Sequence, residues 1–147
     1  MKKIILSLVI AAGALLSSCN APAQEAVTEA APVEENTNNY FVLNRNVQQL
    51  KAIGKAAGEL ATADGATYGE FNVVICGKAV KDLATAETMV PFMEILNANN
   101  VNVIACGFSL KKFEVDNALL PEGVTVVPNG ILYGFELQKD GYYSITL

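Results

Sequence analysis

The sequence of 147 residues contains no histidine and no tryptophan, and basic residues are few. The lack of histidine excludes catalytic triads that rely on an imidazole base and metal sites with imidazole ligands. Ten basic residues stand against fifteen acidic ones, so the formal net charge is −5. Because the sequence has no cluster of basic residues, it predicts no nucleic-acid partner.

Cysteine is also scarce, with three in the chain, and the first of them ends an N-terminal signal. A short basic start precedes an apolar run over residues 4–16, which is too short to span a membrane and is typical of a signal peptide. The small residues just before Cys19 resemble a bacterial lipoprotein signal. We therefore interpret residues 1–18 as a lipoprotein signal peptide and Cys19 as the lipid-bearing N-terminus. An ordinary secretory signal with a chance cysteine is the alternative.

The segment that follows is acidic and poor in large apolar side chains. Residues 20–39 are rich in alanine, proline, threonine and asparagine, and they contain four glutamates but no basic residue. Such a segment buries too little apolar surface to offset the entropy cost of ordering it. We expect residues 19–39 to form a flexible acidic tether and residues 40–147 to form one domain. We expect the protein to be exported and anchored to the bacterial cell envelope by its lipid alone, with the domain in the periplasm.

Strands and helices alternate along the rest of the chain. Five apolar runs predict strands at residues 40–43, 71–76, 101–106, 124–127 and 142–147. Helical spacing and caps predict helices after Asn46, around residues 89–96 and after Asn129, and a short one after Ser109. Because the inner strands are apolar without alternation, we expect an α/β fold, a single three-layer α/β/α domain with a mostly parallel sheet of about five strands.

Three local signals refine these boundaries. Asn46 followed by Gln49 indicates a variant of the capping box at the start of the first helix. Pro91 fits best in the first turn of the second helix, because deeper inside the helix it would remove a hydrogen bond. The chain after Cys76 shows no capped helix start, so we expect a loop that extends through Asp82.

The carboxyl ends of the predicted strands bring reactive side chains together. Ligands of parallel α/β sheets bind beyond these ends. The sequence places Arg45, Cys76, Lys78, Cys106 and Asn129 there. We therefore expect two thiols and two cations to share one rim of the sheet.

Cys106 is the stronger candidate for chemistry of the two thiols. It lies between a strand and the short helix that Ser109 is expected to cap, and the unpaired N–H groups of a helix start favour a thiolate. Three other interpretations stay open. Either thiol is simply a core residue, or Cys76 and Cys106 form a disulfide, which requires adjacent strands and close Cα atoms. A metal site of two thiols is the weakest option without histidine. We expect neither a metal nor a cofactor.

Two stretches of the domain resemble the DsrE/DsrF-like sulfur-relay family. They are residues 71–80, with the sequence FNVVICGKAV, and residues 103–110, with the sequence VIACGFSL; a late Gly-Tyr-Tyr at residues 141–143 also fits. The resemblance implies a parallel α/β fold, assembly as a homo-oligomer (a trimer or a hexamer) and a sulfur donor or acceptor protein as partner. It also implies that Cys106 carries persulfide sulfur.

One leading hypothesis and two alternatives follow for the function. The leading hypothesis is a membrane-tethered sulfur carrier or sulfurtransferase in which Cys106 is the nucleophile and persulfide bearer. Cys76, Lys78 and Arg45 are the candidate assisting residues. The first alternative is a non-catalytic module that binds a small ligand or a protein at the same rim. The second alternative is a structural oligomer with an inert thiol.

Replacement of the lipid attachment site tests the interpretation of the N-terminus. Cys19→Ala removes the thiol that receives the lipid, so the protein should lose incorporation of a labelled fatty acid and leave the membrane fraction. Autoradiography and immunoblots of the two cell fractions measure these changes, with Cys76→Ala as the cysteine control. A Cys19→Ala protein that keeps the fatty-acid label would mean that the signal is of another kind.

Overall fold

The computed structural model describes residues 37–147, which form five strands and five helices. The strands are β1 (Asn38–Asn44), β2 (Tyr68–Ile75), β3 (Val101–Cys106), β4 (Thr125–Val127) and β5 (Tyr143–Thr146). The helices are α1 (Leu50–Asp64), α2 (Ala79–Leu83), α3 (Ala86–Ala98), α4 (Gly107–Lys112) and α5 (Gly130–Lys139). The predicted signal peptide, Cys19 and most of the predicted tether lie outside the described residues. None of these five helices has the length and apolar character needed to cross a membrane.

All five strands belong to one parallel sheet with the order β4-β3-β2-β1-β5. The strands β2 and β3 are buried along most of their length and β1 is buried mainly toward its carboxyl end, because helices cover both faces of the sheet. The last strand, β5, lies at an edge and is exposed, in agreement with its alternation of apolar and polar residues. The predicted single α/β domain with a parallel sheet of five strands is therefore confirmed.

The two faces of the sheet carry different amounts of helix. The helices α1 to α4 pack on one face, where Val73 and Ile75 of β2 contribute to the larger buried cluster. Helix α5 packs on the other face, where Leu137 belongs to a smaller cluster that includes Cys76 and Cys106. Because successive strand residues point to opposite faces, both thiols lie on the α5 side of the sheet.

Two helices differ from the sequence prediction. Helix α2 occupies part of the segment that was expected to be a loop, because Ala79, Val80 and Leu83 are buried against the sheet and stabilise a helical turn. Helix α4 begins at Gly107, before the predicted cap. Ser109 therefore lies within the helix, and its side chain is buried. The prediction that Ser109 caps this helix is therefore wrong.

Pro91 lies in the second turn of α3, and the prediction of a first-turn position is also wrong. Its missing N–H removes one hydrogen bond to the carbonyl four residues earlier. The helix nevertheless continues, because Met89, Met93 and Leu96 are buried on its inner face. Pro91 itself is exposed, so its ring displaces no packed neighbour in the core.

The chain before α1 does not form the predicted capping box. Asn46 is a cap, since its Oδ1 accepts a hydrogen bond from the Gln48 N–H, but it caps a 3-10 turn, Val47–Gln49, that leads into α1. Gln49 does not reach back to the Asn46 N–H; its Oε1 accepts a hydrogen bond from Asn44 Nδ2 at 3.1 Å. The Asn46 N–H donates to Asn44 Oδ1 at 2.9 Å instead. The fully buried Asn44 side chain therefore holds both ends of this turn.

Removal of the Asn44 amide should destabilise the fold. Asn44→Ala is expected to lower the free energy of unfolding by about 1–3 kcal/mol, because it removes the two hydrogen bonds that the fully buried amide makes to Asn46 and Gln49. Urea unfolding followed by circular dichroism measures the change. Asn97→Ala, at an exposed position on α3, is the control and should change stability by less than about 0.5 kcal/mol. Equal unfolding midpoints for the two variants would contradict the role assigned to Asn44.

Candidate functional site

A cavity of about 580 Å³ lies at the carboxyl ends of the parallel strands. Its lining includes the five rim residues named from the sequence, Arg45, Cys76, Lys78, Cys106 and Asn129. The other lining residues come from the neighbouring loops and helices and from the ends of β1 and β5: Leu43, Gly77, Phe108, Ser109, Lys112, Phe113, Ile131 and Thr146. The structure thus brings both thiols and both cations to one site, and it adds a third cation, Lys112.

The two thiols are neighbours across β2 and β3. Ile75 pairs with Ala105 in parallel register, so the next residues, Cys76 and Cys106, lie side by side on the α5 face of the sheet. Both are free thiols and both are buried, with 7% and 3% of their surfaces exposed. The two sulfurs affect each other, since the charge of Cys106 raises the pKa of Cys76. The site therefore contains an adjacent pair of free thiols.

The start of α5 supplies an N–H group to Cys106. Gly130, the first residue of the helix, donates its N–H to Cys106 Sγ at 3.2 Å. The Asn129 side chain accepts hydrogen bonds from the next two amides of the helix, so this cap leaves the Gly130 N–H for the sulfur. A glycine is needed here, because a Cβ would stand 2.7 Å from Cys76 Sγ and 3.0 Å from Cys106 Cβ.

Two helices assist Cys106: α4, which was predicted from the sequence, and α5, which was not. Helix α4 follows Cys106 directly, and the hydroxyl and N–H of its residue Ser109 lower the pKa of Cys106, although the Cys106 side chain makes no capping hydrogen bond at the helix start. The start of α4 also acts indirectly. The Phe108 N–H donates to the Pro128 carbonyl at 2.9 Å, and Gly107 permits this approach, since a Cβ would stand 2.9 Å from the Val127 carbonyl oxygen. These contacts position the loop that leads into α5.

Ser109 connects the ends of the two thiol-bearing strands. Its Oγ accepts a hydrogen bond from the Gly77 N–H at 2.9 Å. A hydrogen bond from its hydroxyl to the Cys106 sulfur lowers the pKa of Cys106. Ser109 thus fixes the chain that follows Cys76 and also stabilises negative charge on Cys106.

The two thiols differ in acidity. Burial, followed by the charge of Cys106 and the hydrogen bond to it, raises the pKa of Cys76 to about 12. Burial also acts to raise the pKa of Cys106. Hydrogen bonds from the Ser109 hydroxyl and the Gly130 N–H, with smaller contributions from the Ser109 N–H and the Cys76 thiol, outweigh burial and lower this pKa below its ordinary value. Cys106 is therefore the more acidic of the two thiols and the first to form a thiolate, which is the nucleophilic form.

The charged side chains around the cavity are positive. Arg45, Lys78 and Lys112 line it and are exposed to solvent. The Arg45 guanidinium lies beside the chain after Cys76, with its Nε 3.6 Å from the position of a Cβ on Gly77, and its charge opposes the effect of burial on the pKa of Cys76. Among the described residues, no acidic side chain lines this cavity and no cluster of three metal-ligating side chains forms. The cavity therefore favours anionic ligands.

Three contributors to the site were not identified from the sequence: the Gly130 N–H, the Ser109 hydroxyl and the Lys112 ammonium group. Asn129 was recognised as a helix cap at the same rim, and this signal could have drawn attention to the first amide of α5. The contact between Gly130 and Cys106 joins residues 24 positions apart. Local patterns carry no information on such a contact, because it depends on how two loops pack.

Comparisons with known proteins agree with the observed fold. The model of the family described as DsrE/DsrF-like matches residues 38–147. A solved structure of a protein of unknown function, MTH1491 from Methanobacterium thermoautotrophicum, is similar in fold, with a TM-score of 0.63 and 21% sequence identity, and covers 76% of this chain and 99% of that one. No curated protein matches the chain. The family match extends over the described domain, from the start of β1 to the last residue.

The acidity of Cys106 can be measured directly. Reduced protein should gain the ultraviolet absorbance of a thiolate at a pH below about 8.5, the ordinary pKa of cysteine, because the donors around Cys106 stabilise its anion. The titration is followed below the range in which tyrosines ionise. The signal should disappear in Cys106→Ser and persist in Cys76→Ser. An unchanged titration in the Cys106→Ser protein would show that the thiolate belongs to another residue.

Ser109→Ala provides a finer test of the same assignment. Loss of a hydrogen bond to a charged group, worth about 1.5–3 kcal/mol, should raise the midpoint of the titration by roughly one to two pH units. Ser144→Ala, on the exposed edge strand β5, is the matched control and should leave the midpoint unchanged. A wild-type midpoint in Ser109→Ala would show that the hydroxyl does not stabilise the anion.

Proposed function

The chain belongs to the DsrE/DsrF-like family, and on this premise we propose that it is a sulfur carrier or sulfurtransferase that holds sulfur as a persulfide on Cys106. The observation that supports this function most is the hydrogen bond from the Gly130 N–H to the Cys106 sulfur. A carrier cysteine attacks its sulfur donor as a thiolate, and the Gly130 N–H stabilises this thiolate. We also propose that a lipid on Cys19 keeps the carrier at the membrane.

The proposed transfer begins when the Cys106 thiolate attacks the outer sulfur of a donor persulfide, R–S–SH. A bond forms between the Cys106 sulfur and that outer sulfur, and the S–S bond of the donor breaks. Its electron pair stays on the donor, which leaves as the thiolate R–S⁻. The outer sulfur moves with its proton, so charge and oxidation state are conserved. An acceptor thiolate later removes the outer sulfur from Cys106 by the same chemistry.

The charge of the cavity supports an anionic donor. Persulfides and polysulfides carry negative charge near neutral pH, and Arg45, Lys78 and Lys112 provide the opposite charge around the thiols. A volume of about 580 Å³ admits an inorganic polysulfide ion or the end of a cysteine persulfide from a partner protein. We propose that the cations raise the local concentration of such donors next to Cys106.

A non-catalytic binding module is the second candidate function, and two aromatic residues favour it. Phe108 and Phe113 line the same cavity as the cations, and Phe108 is 65% exposed. Apolar and aromatic walls with a few charged groups are typical of sites that bind small molecules without a covalent step. In this candidate function Cys106 is a buried hydrogen-bond acceptor and never carries sulfur.

Loading with inorganic polysulfide separates the two candidate functions. Reduced Cys76→Ser protein, in which Cys106 is the remaining thiol of the domain, should gain the mass of one sulfur atom, because its thiolate attacks the polysulfide. Intact and peptide mass spectrometry measure the gain and locate it. The double variant Cys76→Ser/Cys106→Ser should gain none, and circular dichroism confirms that both proteins are folded. A folded Cys76→Ser protein that gains no sulfur would favour the binding module.

The role of the cations is tested on the same reaction. Lys112→Gln, combined with Cys76→Ser, should slow loading at low ionic strength, and the difference should shrink in high salt because salt screens the attraction. Lys111→Gln is the matched control, since Lys111 is exposed on the same helix and does not line the cavity. Equal loading rates for the two lysine variants would exclude attraction by Lys112.

A further inference from the structure

Cys76 lies where a second thiol can react with sulfur held on Cys106. The register of Ile75 against Ala105 makes the two cysteines direct neighbours on adjacent parallel strands. Such strands are about 4.8 Å apart, within the Cα separation of about 4.4–6.8 Å that a disulfide spans. Both sulfurs lie on the α5 face, and the missing side chain of Gly130 leaves the space that Cys76 Sγ occupies.

We propose that Cys76 is a resolving thiol, which discharges the persulfide of Cys106 by releasing hydrogen sulfide and forming a Cys76–Cys106 disulfide. This inference rests on the proposed function, because Cys106 must first carry sulfur. It assigns a second catalytic residue to the site and a second fate to the bound sulfur. The protein then releases sulfide in addition to passing sulfur to an acceptor.

The step conserves atoms and electrons. The Cys76 sulfur attacks the inner sulfur of the persulfide, which is the Cys106 Sγ atom, and a bond forms between the two cysteine sulfurs. The bond from Cys106 to the outer sulfur breaks, and its electron pair leaves with the outer sulfur. The proton of Cys76 passes to that sulfur, so a persulfide anion yields HS⁻. The outer sulfur is reduced to sulfide, both cysteines are oxidised, and an external dithiol reductant restores them.

The contacts of the two thiols determine the order of events. The Gly130 N–H stabilises the thiolate of Cys106, and burial keeps the proton on Cys76, so Cys106 is the thiol that reacts first with a sulfur donor. After loading, the Cys76 proton lies beside the persulfide, where the leaving sulfur needs it. The Arg45 guanidinium lies next to Gly77 and stabilises the negative charge that develops on Cys76 as its proton departs.

A single-turnover experiment with inorganic polysulfide tests the resolving step. Wild-type protein is loaded without oxygen or reductant and rapidly desalted, and released sulfide is measured as methylene blue. Wild type should release sulfide as its persulfide disappears and should end at the mass of the reduced chain less two hydrogen atoms, with Cys76 and Cys106 joined in the peptide map. Cys76→Ser should keep its sulfur and release sulfide on the order of a hundredfold more slowly, because the intramolecular nucleophile is lost. Cys76→Ala repeats the test without a hydroxyl, and circular dichroism verifies the fold of both variants.

The outcomes separate this inference from the proposed function. A persulfide that is as stable in wild type as in Cys76→Ser overturns the resolving role and leaves the carrier function intact. A disulfide that forms in wild type without a matching release of sulfide also overturns it. If Cys106 takes up no sulfur in the folded Cys76→Ser protein, the carrier function fails, and the resolving role fails with it.

Discussion

The parallel register of β2 against β3 is the constraint on which the whole site depends. Because Ile75 pairs with Ala105, two strands that are distant in the sequence end in adjacent thiols on one face of the sheet. A slip of one residue would move a thiol to the opposite face, among the side chains of α1 to α4. The buried apolar residues of both strands, such as Val73 and Val103, pair with each other in this register.

Burial alone would keep both thiols protonated, and the site offsets this effect for one of them. Removing a charged group from water costs several kcal/mol, whereas a hydrogen bond to a charged group contributes about 1.5–3 kcal/mol. The Ser109 hydroxyl and the Gly130 N–H both donate to Cys106, so two such bonds offset a cost of this size. Burial, the charge of Cys106 and a hydrogen bond with it raise the pKa of Cys76 to about 12. Cys106 is therefore the thiol of the pair that ionises first, with a protonated Cys76 next to it.

Sequence patterns were sufficient for the fold class and the rim but not for the contacts that activate the thiol. Apolar runs identified the strands, and the limits of β3 were predicted correctly because buried strands show an uninterrupted apolar signal. Asn129 was also identified correctly, since a cap acts on the amides that follow it directly. The predicted positions of Pro91 and Ser109 within their helices were wrong because packing of the inner helix faces outweighed local propensity. The second donor helix, α5, was missed, since the approach of Gly130 to Cys106 depends on the packing of α5.

The central claim is that Cys106 carries sulfur in the living cell. The most direct test is peptide mass spectrometry of protein taken from its own cells, with thiols and persulfides trapped by an alkylating reagent at the moment of lysis. Part of the Cys106 peptide should carry the mass of one additional sulfur atom, while the Cys76 peptide should carry none. Recovery of Cys106 only as an unmodified thiol, with neither added sulfur nor a disulfide to Cys76, would contradict the claim.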